Sequence, residues 1–237
     1  MKSLIKNCVL YLSVLLSLAY MVSAYSANNN IYITQSGGSS ALTMNIDQIG
    51  SSNIVGTTST RASLTGTTMT VDIDQIGDSN VIAATVAQGN TTSFTLSSTG
   101  DSNTQTLAVG ATGDAAGSDF DFAATGDSNV LVFTQGAAST ATSGNTDIVI
   151  TGTSNALNIT SEVVGATNNW DIDGDSNDID TTQTGNANSS ITADITGNTN
   201  NIDIDQTSST GSTAGIVNII GITTGGTIDI DQCSSGC

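Results

Sequence analysis

Apolar and polar residues alternate along most of the chain, in segments that end at a recurring Gly-x-x-Asn tetrapeptide. When the segments are aligned on the tetrapeptide glycine, the residue four positions before it is always apolar, and its neighbour five positions before is polar in nearly every unit. Because successive side chains of a strand point to opposite faces, this alternation predicts a β-strand with one buried face before each tetrapeptide. The predicted core column consists of Ile46, Ile73, Leu96, Phe122, Ile148, Trp170, Ala193 and Val217, the last from a frame extended to Gly221.

The same alternation resumes after each tetrapeptide, with apolar residues such as Val55, Ile82 and Leu131 two positions past the asparagine. Each unit is therefore predicted to be strand, turn and strand. The intervals between the glycines run from 22 to 27 residues, a period typical of repeat proteins built from one supersecondary element per unit. The predicted turns are Gly50/Asn53, Gly77/Asn80, Gly100/Asn103, Gly126/Asn129, Gly152/Asn155, Gly174/Asn177 and Gly197/Asn200.

These units predict an all-β fold, a two-sided parallel β-solenoid whose rungs stack about 4.8 Å apart. The chain contains no proline, and Thr, Ile, Val, Asn, Asp, Ser and Gly dominate over helix-forming residues after the first two dozen positions. A lone pair of strands cannot bury an apolar face in water, whereas stacked rungs bury a continuous core. Glycine suits the turn because it tolerates positive φ and close backbone approach, and stacked asparagines can form amide ladders.

The first 24 residues have the character of a secretory signal peptide. Lys2 and Lys6 precede an apolar run from Val9 to Val22, and the run ends in Val22-Ser23-Ala24, an A-x-A-like cleavage site. A membrane anchor is the competing interpretation, but the run is shorter than the roughly 20 apolar residues that span a bilayer. The sequence thus predicts a secreted protein with a signal peptide at 1–24, a degenerate first rung at 25–40, and a solenoid with a cysteine cap at 41–237.

The charge of the remaining chain limits its partners. After Ala24, 21 acidic residues and one basic residue, Arg61, give a net charge of −20. Nucleic acid and anionic lipid are excluded as partners, because contacts with phosphate need Lys and Arg. A charge of this sign keeps a secreted chain soluble, and salt, acid or divalent cations would relax the repulsion between copies.

Several units contain the pattern Gln-x-Gly-x-x-Asn: Gln48/Gly50/Asn53, Gln75/Gly77/Asn80 and Gln183/Gly185/Asn188, with Gln35/Gly37/Ser40 one substitution away. In the second rung, Gln88 follows Asn80 by eight residues. The pattern resembles the curlin repeat of bacterial curli subunits. The resemblance implies a secreted β-solenoid that polymerises into an extracellular amyloid-like fibre of the biofilm matrix. It also implies an outer-membrane export channel and a surface nucleator as partners.

Five glutamines share the parity of the apolar columns: Gln48, Gln75, Gln135, Gln183 and Gln206. Inward glutamines stacked in register can donate and accept along the stacking axis, so one interpretation is a set of buried amide ladders. The other is that these glutamines fill strand ends near solvent.

The cysteines and the aspartates leave alternatives open. Cys233 and Cys237 predict a small disulfide loop, with an incomplete metal site or pairing between subunits as alternatives.

Outward aspartates recur in stretches such as 72–75 and 171–178, where they either form a solvated face or bind Ca²⁺. No cofactor is predicted, because the calcium-binding nonapeptide and the twelve-residue EF loop are both missing from the sequence.

An enzyme is not expected. The chain has no histidine, and its one glutamate, Glu162, leaves little for acid-base chemistry.

Open rungs at both ends of a solenoid are unpaired strand edges, and neither end of this array carries proline or lysine, the residues that commonly prevent edge pairing. The sequence therefore favours a structural subunit that stacks end to end into a curli-like fibre. The alternative is a monomeric solenoid that acts as an adhesin or binds ice or glycan.

Overall fold

The computed structural model describes residues 8–12, 19–25, 29–35, 41–50, 52–56, 61–66, 68–77, 79–86, 91–110, 117–136, 141–142, 144–185, 189–208 and 215–233. These residues form strands, corners and short links. Within the described ranges, no helix is long and apolar enough to cross a membrane.

The strands follow one another with short corners between them. In chain order they are β1 (Cys8–Leu12), β2 (Ala19–Tyr25), β3 (Ile31–Gln35), β4 (Leu42–Ile49), β5 (Ser52–Val55), β6 (Ala62–Leu64), β7 (Thr68–Ile76), β8 (Ser79–Val86), β9 (Thr91–Thr99), β10 (Ser102–Val109), β11 (Asp119–Thr125), β12 (Ser128–Gln135), β13 (Ala141–Thr142), β14 (Asn145–Thr151), β15 (Ser154–Ser161), β16 (Val163–Val164), β17 (Thr167–Asp173), β18 (Ser176–Gly185), β19 (Ser190–Ser208) and β20 (Ile216–Cys233).

The strands stack as parallel, in-register neighbours on two sides of the molecule. Strands that pair on the side that precedes the Gly-x-x-Asn corners form what we call the first stack: β2, β4, β7, β9, β11, β14, β17 and the first halves of β19 and β20. Strands that follow the corner form the second stack: β1, β3, β5, β6, β8, β10, β12, β15, β18 and the second halves of β19 and β20. The fold is therefore a two-sided parallel β-solenoid, as predicted.

The core lies between the two stacks. Side chains alternate between buried and exposed along the strands, for example in β7 and β12. Phe133 of the second stack contacts Phe120 and Phe122 of the first, with ring centroids 5.0 and 5.1 Å apart. These contacts across the core show that the apolar faces of the two stacks pack against each other.

The predicted core column is confirmed for seven of its members and wrong for Val217. Ile46, Ile73, Leu96, Phe122, Ile148, Trp170 and Ala193 are consecutive register partners, and each is at most 3% exposed. The next residue in the column is Ile219, and Val217 lies beside Ile191. The corner of the last coil comes two residues later than in the preceding coils, because Gly197 pairs with Thr223 and Gly221 lies opposite Ile195.

The amino-terminal coil extends further back than the predicted degenerate rung at 25–40. β3 is the second strand of this coil, and its first strand is β2, in which Ala24 pairs with Gln48. β1 pairs with β3 from the other side. The sequence between residues 8 and 25 thus adds strands to both stacks, whereas its cleavage as a signal peptide stays a prediction.

The second strand of the next coil is interrupted. β5 pairs with β8 as far as Val55, the chain leaves the stack at Gly56, and β6 resumes the pairing at Ala62. Ala62 and Leu64 are fully buried. The small, polar composition of residues 57–66 predicts a link that protrudes from the scaffold, and this prediction is wrong for Ala62 and Leu64, which belong to the core.

Candidate assembly site: amide ladders and open edges

A continuous ladder of asparagine amides lies along the inside of the Gly-x-x-Asn corners. From Asn29 to Asn177, each asparagine donates Nδ2–H to Oδ1 of the asparagine in the next coil, at 2.7 to 2.9 Å. The ladder ends at Asn200, because its register partner in the last coil is Gly226. Every member is at most 2% exposed. In a site closed to water these bonds satisfy polar groups that would otherwise be costly to bury. The ladder consists of Asn29, Asn53, Asn80, Asn103, Asn129, Asn155, Asn177 and Asn200.

The ladder asparagines also hold the corners closed. Asn103 Nδ2 donates to the carbonyl of Gly100 in its own corner, at 3.1 Å, and to the carbonyl of Thr125 in the next coil, at 2.9 Å. Asn129 repeats this arrangement with Gly126 and Thr151, both at 3.1 Å. One side chain therefore links two coils and caps a turn at the same time.

The corner glycines are required by close backbone approach and not, in most corners, by positive φ. A Cβ atom on Gly77, Gly100 or Gly126 would lie 1.4 to 1.8 Å from the carbonyl oxygen of the preceding corner glycine. Positive φ occurs instead where second strands end, at Gly110 (74°) and Gly136 (80°). In the penultimate coil Gly197 lies within β19, which continues through the corner as strand.

The five predicted inward glutamines are all buried, so the interpretation of solvent-facing strand ends is wrong. Two ladders form. Gln75 Nε2 donates to Gln48 Oε1 at 2.7 Å. In the second stack, Gln206 donates to Gln183 at 2.6 Å and Gln232 donates to Gln206 at 2.8 Å.

Gln135 shares the second-stack column but is not part of the ladder. Ser161 lies between Gln135 and Gln183 in the register, and its side chain is too short to bridge them. Gln135 Nε2, Ser161 Oγ and Gln183 Nε2 are all buried and have no hydrogen-bond partner. The prediction that Gln135 joins a ladder is therefore wrong for this reason.

One of the three Gln-x-Gly-x-x-Asn matches, and the near match at Gln35, lie away from the corners that join the first stack to the second. Gln48 and Gln75 precede the corner in the first stack, whereas Gln183 lies near the end of β18 and Gln35 at the end of β3, both in the second stack. Asn188, Gly37 and Ser40 lie outside the described residues. The motif thus marks the ends of both kinds of strand.

The outward aspartates form two kinds of neighbour pair. Some face an asparagine of the next coil, whose amide donates to the carboxylate: Asn169 to Asp147 at 2.8 Å and Asn201 to Asp178 at 2.8 Å. Others face another carboxylate, as in the column of Asp180, Asp203 and Asp229.

The carboxylate columns disfavour ionisation. Desolvation and repulsion from Asp205 and Asp229 raise the pKa of Asp203 above its ordinary value of 3.8. Because the Asp203 side chain is exposed, repulsion is the cause that a substitution can test. Desolvation and nearby carboxylates likewise raise the pKa values of Asp72 and Asp121. Among the described residues, no group of three or more His, Cys, Asp or Glu side chains is placed to hold a metal ion.

The carboxyl-terminal coil leaves its core face open. Among the described strands, β20 pairs only with β19. Ile228 and Ile230 continue the inward columns of Ile202 and Ile204, but they are 51% and 40% exposed, whereas Ile202 and Ile204 are at most 2% exposed. This end of the solenoid therefore presents apolar side chains and an unpaired strand edge.

One of the two cysteines near the carboxyl terminus lies within the described residues. It is Cys233, at the end of β20, and it is disulfide-bonded. Cys237, the partner predicted for it, lies outside the described residues.

A shallow, open groove of about 600 Å³ runs along the outside of the corners. The corner glycines Gly126, Gly152, Gly174 and Gly197 line it, together with threonine and aspartate residues of the same corners. Such a strip offers a regularly spaced surface to an extended ligand.

Two polar contacts were missed by sequence reasoning. Gln105 crosses the core, donating to Ser98 Oγ at 3.0 Å and to the carbonyl of Ala123 at 2.8 Å. Gln232 extends the second-stack ladder, and a signal for it exists, because residues 228–232 repeat the sequence of residues 202–206. No comparable signal marks the bridging role of Gln105.

Comparison with known proteins gives no relative: no family model, no curated protein and no solved structure matches the chain.

Proposed function

We propose that this protein is a secreted structural subunit that stacks end to end through its β-coils into a curli-like fibre of the extracellular matrix. The observation that carries the proposal is the open carboxyl-terminal coil, where inward Ile228 and Ile230 are about half exposed. An unpaired strand edge with apolar side chains is a template for pairing with another chain. Nothing in this role requires catalytic residues, so the protein is proposed to be structural and not an enzyme.

The internal ladders support growth by the same contacts. The asparagine and glutamine ladders join successive coils by hydrogen bonds that run along the axis in which a fibre would grow. A second copy that continued these columns would bury Ile228 and Ile230. At about 1.5 to 3 kcal/mol for an isoleucine that passes from full exposure to full burial, the two half-exposed side chains together contribute about 1.5 to 3 kcal/mol.

Secretion and partners rest on the sequence. The basic and apolar residues before Ala24 favour export, and the resemblance to curlin repeats favours an outer-membrane channel and a surface nucleator as partners. The acidic surface favours solubility before assembly and argues against nucleic acid as a partner.

Fibre growth by the chain that begins at Tyr25 tests the proposal. Purified protein is incubated with an amyloid dye, seeded with its own aggregates and imaged by electron microscopy. Seeded growth of fibres with a cross-β diffraction spacing near 4.8 Å is expected. A protein that stays monomeric through repeated seeding would refute the proposal.

A matched pair of substitutions shows whether the open coil is responsible. Ile228→Lys places a charge on the exposed inward column and is expected to slow elongation strongly while the solenoid stays folded. Ile76→Lys is the control, because Ile76 is 52% exposed but lies on β7, in the middle of the array. Equal elongation by both variants would show that growth does not use the carboxyl-terminal coil.

The groove over the corner glycines favours a second candidate, a monomeric solenoid that binds an extended polymer such as a glycan. Binding of glycans by the monomer, together with failure to grow from seeds, would favour this alternative over the fibre.

A further inference from the structure

The amino-terminal strand β1 differs from the other strands because its coil has no described strand in the first stack. From β2 onward every coil contributes to both stacks: β2 precedes β3, and the first half of β20 precedes its second half. β1 lies in the second stack and pairs with β3 along its whole length, but no described strand completes its coil in the first stack. The segment from β2 to β20 therefore consists of complete coils, and β1 is an addition at one end.

In the second stack, the first and last strands of this segment, β3 and the second half of β20, present matching side chains in the same columns. Followed through the register from strand to strand, Ile31 leads to Ile228, and Thr34 leads to Asp231. The sequence at both ends is Ile-x-Ile-x-Gln, at residues 31–35 and 228–232. A second copy placed with its last coil against β2 and β3 would thus continue the apolar and glutamine columns without a shift in register.

β1 occupies the position that such a copy needs. Cys8, Leu10 and Leu12 are the register partners of Ile31, Ile33 and Gln35. One edge of a strand can pair with only one neighbouring strand. β1 and the second half of β20 from another copy therefore compete for the same edge of β3.

Charge favours contact between unlike ends. The outward residues of the last strand include Asp229 and Asp231, next to Asp203. By contrast, no acidic residue precedes Asp47 in the chain, and the outward residues of β3 are Tyr32 and Thr34. Contact between two carboxyl-terminal coils would bring like charges together, whereas contact between the last coil and the first would not. A head-to-tail contact is heterologous and does not close, and such contacts build filaments.

We propose that the carboxyl-terminal coil of a second copy docks on β2 and β3, and that β1 is an intramolecular placeholder that must leave before the two copies join. This inference rests on the proposed function. It adds that copies join head to tail, and that β1 prevents this contact until it leaves. A full chain can add to a filament through its own last coil, but β1 then prevents the next copy from joining. Cleavage after Ala24 would remove β1 and most of β2, leaving β3 as the acceptor and one position of the first stack empty.

Release of β1 in the full chain tests the placeholder. Leu10→Pro removes a backbone donor from β1 and disfavours its pairing with β3. Leu10→Asp is a second variant that keeps the backbone donor and places a charge at the register position of Ile33, in case the proline variant does not fold. Ser3→Pro, before β1, is the control. Circular dichroism and hydrogen exchange of the remaining strands verify the fold in each case.

Seeded elongation, followed by dye fluorescence and microscopy, is the readout. Release of β1 is expected to speed elongation by about tenfold or more relative to the wild-type full chain and to Ser3→Pro. Wild-type chain added in substoichiometric amount to growing Leu10→Pro fibres is expected to stop growth at one fibre end only. Equal elongation by wild type and both Leu10 variants would overturn the placeholder while leaving the fibre proposal intact. Absence of fibres from every variant, including the chain from Tyr25, would overturn both.

Discussion

Replacement of Asn129 by alanine removes a side chain that bonds to both neighbouring coils in the middle of the array. Asn129 donates to Asn155 Oδ1 at 2.8 Å and to two backbone carbonyls, and it accepts from Asn103 Nδ2 at 2.7 Å. Alanine deletes all four bonds. Asn103 keeps two backbone acceptors for its amide, but Asn155 Oδ1 is left buried without its donor.

The magnitude follows from these contacts. A typical hydrogen bond contributes a net 0.5 to 1.5 kcal/mol, and a buried group left unsatisfied costs about 1 to 3 kcal/mol. Since the bonds around Asn129 share acceptors and are not additive, we expect the free energy of unfolding to fall by about 3 to 5 kcal/mol. Asn198→Ala is the matched control: Asn198 also bonds between coils, to Asp175 Oδ1 at 2.9 Å, but on the exposed surface. Its loss is expected to change stability by about 0.5 kcal/mol or less.

Equilibrium unfolding in urea, followed by circular dichroism, measures both variants on the full chain. The midpoint of Asn129→Ala should shift well below that of the wild type, and that of Asn198→Ala should stay close to it. A loss below about 1 kcal/mol for Asn129→Ala, or equal losses for the two variants, would show that the buried ladder does not stabilise the solenoid as argued.

Three further substitutions test other columns, each by urea unfolding. Gly126→Ala places a Cβ atom 1.6 Å from a neighbouring carbonyl oxygen and should lower the free energy of unfolding by about 3 kcal/mol or more. Gly225→Ala is the control, because its Cβ atom would lie 3.6 Å from the nearest atom, and it should be nearly neutral. Similar losses for the two variants would contradict the argument that close backbone approach requires glycine at the corner. Ser161→Gln should raise stability by about 1 kcal/mol by giving the next buried glutamine amide a partner, and a loss would show that the gap is not simply a missing ladder member. Because the pKa of Asp203 is raised, the folded protein binds a proton more readily than the unfolded chain, and stability should rise as the pH falls from neutral toward the ordinary value of 3.8. Asp203→Asn should reduce this rise, and an unchanged pH profile would contradict the role of the carboxylate column.

Side-chain parity was sufficient to predict the solenoid and most of its core. The strict alternation around residues such as Ile73 and Ile148 fixes which face is buried, and the repeated Gly-x-x-Asn tetrapeptide fixes the corner. The ladder of asparagines could also be predicted, because an asparagine at the same position of seven successive repeats has asparagine neighbours in the adjacent coils.

Other features depend on where the chain leaves and rejoins the stacks. The last coil places its corner two residues later, so a frame that relies on Gly221 assigns Val217 to the wrong column. The point at which pairing resumes, Ala62, is not evident in the sequence, because the short strand that begins there carries too few residues to show alternation. The break in the glutamine ladder at Ser161 requires the register between neighbouring coils, which a single sequence does not give.

The strands β1 and β2, in the apolar run near the amino terminus, could not be predicted from the sequence. The hydrophobicity of this run predicts a signal peptide, and the run has no alternation that would predict a strand. Pairing of β1 and β2 follows from the edges of β3 and β4, which accept any extended chain that can offer backbone hydrogen bonds.

The column of corner glycines fixes the distance between neighbouring coils but sets no limit on their number. Each coil contacts only the one before and the one after it, and no contact measures the length of the whole rod. Insertion of a further coil with the same corner would therefore extend the asparagine ladder and the column of corner glycines without interrupting either. The length of the rod is thus set by how many coils the chain supplies and not by any contact within them.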